Sequence, residues 1–358
     1  MGRDFLPSLD GSSVDLDGTE SVERTGIVVA RATEDALDDW DDHVERSPHG
    51  TPFHRLPSLR AQADHSDTTL VPLLGQKGQE TVGLFPVFVG AKAGITVASS
   101  PAPDLWISSL GPVLASVDGL KQRRAEARHR RFVGAAVAWL RRAVDPRYVH
   151  VSAARRYDDP RPFEWNDFSV DPRHTYVVDL TRGTDELLAA FSSDARRNVT
   201  DEDLAYEVAV GGPSTIRRTI AQVRRRYEAQ DEPYTVPADF VVDLYEDLPD
   251  GTVRPYVCRQ GGEFVGGMVV LADGDTVYRW QGGAKTDGDL PVNDLLDWRI
   301  IRDAAAEGFA RYDMDGANEP RLCEYKSKFA PDVETYYRME RGAPWLRLGS
   351  RIYTELLR

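Results

Sequence analysis

Cysteine is almost missing: Cys258 and Cys323 are the two in 358 residues, and no CxxC spacing occurs. That excludes a disulfide framework or a cysteine-ligated zinc and fits a reducing compartment. Long apolar runs are missing too. No stretch approaches the roughly 18 residues a membrane span needs. The start, MGRDFLPSLDGSSVDLDGTESVER, lacks the basic and apolar segments of a signal peptide. The sequence therefore predicts a cytoplasmic protein without a transmembrane segment, with residues 1–25 a flexible acidic tail. The seven histidines form no HxxxH or HExxH pair, so no metal is expected. No GxSxG and no Cys–His arrangement offers a covalent nucleophile.

Lysine is scarce as well. Six lysines leave 38 of the 44 basic residues as arginine. Acid dominates: 58 acidic residues, 38 of them Asp, set a net charge of −14. Such Asp-rich, Arg-over-Lys usage fits a halophilic, haloarchaeal protein whose hydrated surface stays soluble by self-repulsion; the alternative is an ordinary acidic cytosolic protein. Either way it argues against a general nucleic-acid coat, which would be basic. Yet two of the six lysines, Lys326 and Lys328, sit together in LCEYKSKFAP (322–331).

The length exceeds one ordinary core, and 41% apolar residues can fill two. TGIVVARA (25–32) reads as a strand, DALDDWDDHVERS (35–47) and PSLRAQADHS (57–66) as helices. TLVPLLGQKGQETVGLFPVFVG (69–90) reads as a hairpin, GITVASSP (94–101) as a strand. Phe132, Ala135, Ala136, Trp139, Leu140 and Val144 have helical spacing, and the strand YVHVSAA (148–154) follows. The second half repeats the order. HTYVVDL (174–180) is a strand and 184–199 a helix N-capped by Thr184. Helices at 213–230 and 238–248 come next, then three strands in 254–284, a helix at 292–308 ended by Gly308, and a strand at 309–316. Residues 333–357 mix strand and helix signals.

PLLGQKGQETVGLFPV (72–87) also lies over PYVCRQGGEFVGGMVV (255–270) at a constant offset of 183, with Pro72, Gly78, Glu80, Val82, Gly83 and Val87 on identical residues. Shared turn glycines are common to hairpins, but the helix and strand that follow in both halves favour duplication. The expected fold class is α+β: two copies of one unit, at 26–172 and 173–358, each a mixed, mostly antiparallel sheet flanked by helices.

That doubled order resembles the tandem GNAT acyltransferase plan. The second half resembles the FemAB/FemX peptidoglycan-bridge aminoacyltransferases and their acetyltransferase-like relatives. TYVVDL (175–180) resembles their opening strand, and FSSDARRN (191–198) their arginine-bearing helix, with Arg196 on the family arginine. YRWQGG (278–283) resembles the strand leading to the acceptor cleft. Leu295, Leu296 and Trp298 resemble "ll.w", YDMDG (312–316) resembles "yDf.G", and YKSKFA (325–330) resembles the closing "fK..Fg". The likeness covers roughly 170–331, and 35–115 faintly. Thr200 and Ala330 depart from a basic residue and a glycine, and the coiled-coil arm of some members is too short to be present.

The resemblance places Lys326 at the reaction cleft. Acyl transfer to an amine needs an aligned amine, a held donor and positive charge at the oxyanion, and a lysine suits a phosphate or oxyanion. In a strand Lys326 and Lys328 would share a face; in a turn or helix they would diverge. Asp313 and Asp315 fall on one face of their strand, opposite Tyr312 and Met314. Asp313 either accepts the amine proton or caps the turn at Gly316. Arg196 is a candidate for a substrate phosphate. Tyr278 lines the acceptor strand, while Trp280 and Trp298 line a sugar or acyl pocket or pack in the core. QGGAKTDGDLPV (281–292) stands where acetyl-CoA enzymes carry a pyrophosphate-binding turn; Gly282, Gly283 and Lys285 are the candidates there, although the usual pattern is absent. The arginine-rich stretches 121–131 and 217–226 are candidates for phosphates or for helix faces paired with acids.

The sequence thus points to an N-acyltransferase moving an acetyl or aminoacyl group onto an amine of a small molecule or of a glycan or peptide precursor. Acetyl-CoA or another acyl-CoA is the expected donor, with aminoacyl-tRNA as the alternative; DNA is not an expected partner. A monomer or dimer is expected. The competing readings are a non-catalytic GNAT-fold binding protein that has lost its donor site, and an RNA-binding protein using the arginine stretches.

Overall fold

Fourteen strands and eleven helices are formed by the residues that the computed structural model describes: 21–92, 94–116, 119–283 and 290–343. The first half contains β1 (Val22–Arg24), β2 (Ile27–Arg31), α1 (Glu34–Asp38), α2 (Trp40–Glu45), α3 (Leu56–Asp64), β3 (Thr69–Lys77) and β4 (Glu80–Lys92). It continues with β5 (Ile95–Ser100), β6 (Val113–Leu114), α4 (Gln122–Ala143), β7 (Tyr148–Ser152) and α5 (Arg161–Glu164). The second half contains β8 (Ser169–Asp179), α6 (Thr184–Ala190), α7 (Ser193–Thr200), β9 (Glu207–Val210), α8 (Pro213–Glu228), α9 (Ala238–Asp247) and β10 (Val253–Gln260). It ends with β11 (Glu263–Asp273), β12 (Thr276–Gly282), α10 (Val292–Ala306), β13 (Arg311–Asp313), α11 (Pro320–Lys326) and β14 (Asp332–Gly342).

The duplication is visible in hydrogen-bond register. In the β3–β4 hairpin the pairing shifts between Gly75↔Gly83 and Gln76↔Thr81. In β10–β11 it shifts between Cys258↔Gly266 and Arg259↔Phe264. Each of these residues is 183 positions from its counterpart, so both halves carry the same bulge at the same place. The two halves then run β2-β3-β4-β5-β7 and β9-β10-β11-β12-β13, and in each the last two strands are parallel.

Several local expectations change. The counterpart of β2 is β9, not the strand at 174–180; β8 instead lies between β13 and β14, and it runs through position 173. Residues 22–24 pair with β2 as a hairpin strand rather than belonging to a tail. The helix expected at 35–47 is two short helices that meet at Asp39. The helix at 184–199 breaks where Phe191 turns extended and the Ser192 hydroxyl caps α7 by accepting from Ala195 N. Gly183, not Thr184, holds the N-cap position of α6. The strand at 309–316 keeps only three residues, because Asp315 and Gly316 adopt positive φ. Gly308 does follow α10 with a positive φ of 89°.

One sheet spans the described residues because β14 pairs antiparallel with β7 on one side and β8 on the other. The helices divide by face. α4 buries Phe132, Ala135, Ala136, Trp139 and Leu140 against the first half. α10 buries Leu295, Leu296, Ile300 and Ile301 against the second. A third core is common to both halves: Leu59 of α3, Phe88 of β4, Ile220 of α8, Phe240 of α9 and Leu271 of β11 pack together. Burying such side chains is worth about 1.5–3 kcal/mol each. The seam between the halves is therefore core, and a site on it is held from both sides.

Candidate active site

The site begins where parallel strands part. β12 and β13 pair from Thr276↔Arg311 to Tyr278↔Asp313. Beyond that, β12 continues to Gly282, with Trp280 as the extra residue of a bulge opposite Val269 and Val270. The chain after β13 stays with β8 instead: Met314 N donates to the Tyr176 carbonyl at 2.8 Å and Ala317 N to the His174 carbonyl at 2.7 Å. A wedge opens between 279–282 and 314–316. Strand backbone at such a wedge has hydrogen-bonding groups available to a ligand.

The first half parts at the same place, between β5 and β7, and there the gap is filled. Leu110 bridges to Ala153, and its N–H donates to the Ser152 carbonyl at 2.7 Å. Ser152 Oγ donates to the Ser108 carbonyl at 2.6 Å. Gly111, at φ 76°, makes the plug possible: a Cβ there would lie 2.9 Å from Ala153 Cα. The plugging segment also walls the second-half site. Trp280 Nε1 donates to the Trp106 carbonyl at 2.9 Å, and Ser108 Oγ accepts from Arg155 Nη2 at 2.9 Å. A cleft lies here, lined by Thr51, Ser108, Tyr278, Arg279, Trp280 and Asp315 among others.

Arg155, just after β7, crosses the seam. Its Nε donates to Asp313 Oδ2 at 3.1 Å and its Nη2 to Asp315 Oδ1 at 2.5 Å. Its guanidinium stacks 3.9 Å from the Tyr336 ring centre. Asp313 is 2% exposed, and its Oδ1 also accepts from Thr175 Oγ1 at 2.5 Å and Asp315 N at 2.8 Å. Its oxygens are engaged. The Asp315 side chain is 31% exposed and lines the cleft.

Lys326 ends α11 and is 4% exposed. Its Nζ donates to the carbonyls of Asp315 and of Gly316, the latter at 2.9 Å. Burial, helped by the nearby positive Arg279, pushes its pKa down to about 8; Asp315, Asp297 and Asp313 pull the other way. Beneath it, fully buried Asp297 of α10 accepts from Arg279 Nε at 3.1 Å, Tyr312 OH at 2.6 Å and Tyr325 OH at 2.7 Å. One carboxylate thus ties β12, β13, α10 and α11 together.

The sequence-derived residues divide. Asp313, Asp315, Tyr278 and Trp280 line the cleft, and Lys326 is joined to it through the carbonyls of Asp315 and Gly316. Trp280 also packs edge-on against Phe53 and Phe240, at 5.1 and 5.9 Å, so it is both wall and core. Gly282 ends β12 at the mouth of the wedge, and Gly283 follows it. Trp298 does not join them: it is in the second-half core, edge-on to Phe191 at 5.4 Å. Arg196 is exposed on α7, its Nη1 on the Ala189 carbonyl at 3.0 Å. Lys328 diverges from Lys326, because a 3-10 turn follows α11, and it pairs with Asp194 at 3.2 Å. Lys285 lies outside the described residues. Sequence reasoning missed Arg155, Arg279, Asp297, Thr175, Thr51 and Ser108. Arg155 stands beside Arg156 in an arginine-rich chain, so nothing local marks it.

This wedge, bulge and helix order, doubled, define the tandem GNAT fold. The sequence profile of the GNAT acetyltransferase domain matches residues 190–327, which contain the open wedge and Lys326. The chain is similar in structure to FemX, with a TM-score of 0.69 over 89% of this chain and 99% of that one, at 11% identity. It is also similar to L-PGS from Bacillus licheniformis, with a TM-score of 0.54, 12% identity and 91% and 98% coverage. A tandem GNAT protein from the clavulanic acid biosynthesis pathway gives a TM-score of 0.50, 11% identity and 88% and 98% coverage. The comparison with curated proteins returns no match.

Proposed function

We propose that the protein is an N-acyltransferase with one reaction centre, in its second half. The observation that carries this is the contrast between the two partings: among the described residues no segment bridges the one beside Lys326, and its first-half counterpart is plugged by Leu110 and Gly111. An acyl carbonyl lying in the wedge near Lys326 would have a positive charge beside its oxygen. As an acceptor amine attacks, that charge offsets the negative charge that develops on the oxygen. The outer oxygen of Asp315 faces the cleft and suits an incoming ammonium, whose proton must leave before attack. We give Asp313 the role of anchor rather than base, because its oxygens are engaged by Arg155, Thr175 and the Asp315 N–H.

We take an elongated CoA thioester as the leading donor, with Gly283 and Arg226 as its candidate contacts. Gly283, at φ 99°, has the Arg226 guanidinium so close that a Cβ would lie 2.9 Å from its Nη1, and Arg226 donates to the Gly283 carbonyl at 2.8 Å. Gly283 and Arg226 would hold the pyrophosphate and the free edge of β12 the pantetheine arm; the thioester supplies an activated acyl group. The acceptor is an amine on a small molecule or on a glycan or peptide precursor. Aminoacyl-tRNA remains the second donor class, as the sequence resemblance to the FemAB/FemX aminoacyltransferases implies.

The test is direct binding and single-turnover transfer, in low salt and in molar KCl. Wild type and Lys326→Met are given acetyl-CoA, longer acyl-CoAs or aminoacyl-tRNA, with a panel of amines. Transfer that depends on Lys326 supports the reading. Failure to bind any donor would replace it with the non-catalytic binding protein.

A further inference from the structure

We infer that Arg155 of the first half is a positioning residue for the second half's reaction centre, acting on Lys326 through the segment Asp315–Gly316. This rests on the function proposed above, but its physical basis is separate. Asp315 and Gly316 both have positive φ, 55° and 48°. A residue with a Cβ disfavours that conformation, aspartate less than most, and its neighbours hold Asp315 in it. Arg155 does so from across the seam by accepting no freedom of its own: Nε is on Asp313, Nη2 is on Asp315 and Ser108, and the plane of the guanidinium lies on Tyr336. The carbonyls of Asp315 and Gly316 are in turn the two acceptors of Lys326 Nζ.

The fork geometry matters. Arginine can reach two carboxylates at once from fixed directions, which lysine cannot. Arg155 therefore fixes both the carboxylate that faces the cleft and the carbonyls that aim the ammonium. It explains why a first half with a plugged gap is retained at the centre: it supplies the clasp. The charged groups that face Lys326 are Arg279 from β12, Asp297 from α10, and Asp313 and Asp315 at the end of β13. Removing Arg155 leaves the last two without their cation, and their uncompensated negative charge favours the protonated lysine.

The experiment measures how readily Lys326 reacts with acetic anhydride as a function of pH, read by mass spectrometry on the intact folded chain. Wild type should show half-maximal labelling near pH 8. In Arg155→Met that midpoint should move up by about one pH unit or more, towards ordinary lysine. Arg155→Lys keeps the buried charge and loses the fork; its midpoint should move in the same direction by a smaller amount. It decides the matter if Arg155→Met fails to fold. A folded variant whose midpoint equals that of wild type would overturn the inference, since a purely structural clasp changes stability but not Lys326. The readout needs no turnover, so a failure of the acyltransferase reading leaves it interpretable. Conversely, Lys326-dependent transfer with an unmoved midpoint would reject only the role of Arg155.

Discussion

Replacing Lys326 by Met separates its electrostatics from its packing. The aliphatic stem is kept and the buried ammonium is removed. In the folded protein that ammonium has a pKa of about 8, against 10.5 for an ordinary lysine. The unfolded chain therefore binds the proton more tightly, and the folded state is disfavoured wherever the lysine is charged. At about 1.4 kcal/mol per pH unit, the cost is on the order of 3 kcal/mol at pH 7. It is fully present below pH 8 and is relieved as pH rises towards 10.5. Lys326→Met lacks this dependence. Wild type should thus gain about 2 kcal/mol on the variant between pH 7 and pH 10. At pH 7 the variant loses two contacts to carbonyls, worth about 1–3 kcal/mol each when left unsatisfied. That loss roughly offsets the relief, so the two proteins should differ little in stability. Turnover should nevertheless fall by about 10²–10³-fold, as for loss of an oxyanion-stabilising group. Urea unfolding of both proteins at pH 7, 8, 9 and 10 gives the difference directly. A difference that stays constant across this range would refute the depressed pKa and the charge-based role built on it.

Asp313→Ala should destabilise the protein by about 3–5 kcal/mol in urea unfolding, because Arg155 would stay buried without its buried carboxylate partner. Asp315→Asn keeps an acceptor for Arg155, so it should cost less in urea unfolding than Asp313→Ala, and it should raise the acceptor KM by about tenfold, with kcat the lesser effect. Lys328→Ala should retain turnover within about twofold, since its partner Asp194 lies on α7 and the pair is a partly exposed one. Ala330→Gly should raise stability by about 1 kcal/mol or less, because Ala330 sits at φ 51°, where glycine is free of the Cβ penalty. Thermal unfolding measures that last effect.

The sequence by itself determined what depends on neighbours along the chain. Apolar spacing identified α4, α8 and α10, since one helical face must be buried wherever the helix docks. The 183-residue offset identified two equivalent hairpins, because register within a hairpin is a local property; the bulge they share came from the structure. The motif YKSKFA marked Lys326 as a candidate, and Ala330 in it marked a departure whose left-handed backbone the structure displays. Short strands fell below that level. β1, β9 and β13 have three or four residues each, too few for a period to show, and they exist because a neighbouring strand supplies their partners.

Tertiary structure alone decided the site. Which of two equivalent partings is open depends on whether 108–111 folds back into it, and no local pattern records that. Asp313 and Asp315 share a face by alternation, yet the cation that pairs with both, Arg155, comes from more than 150 residues away in sequence. Trp280 and Trp298 are the same residue type on neighbouring elements; the first faces the seam between the halves and the second faces the core beneath α10. Charge at Lys326 is likewise set by burial and by Arg279, Asp297, Asp313 and Asp315, groups brought together from β12, α10 and the end of β13. Desolvation and Coulomb interactions act through space, so they follow the packed chain and not its order.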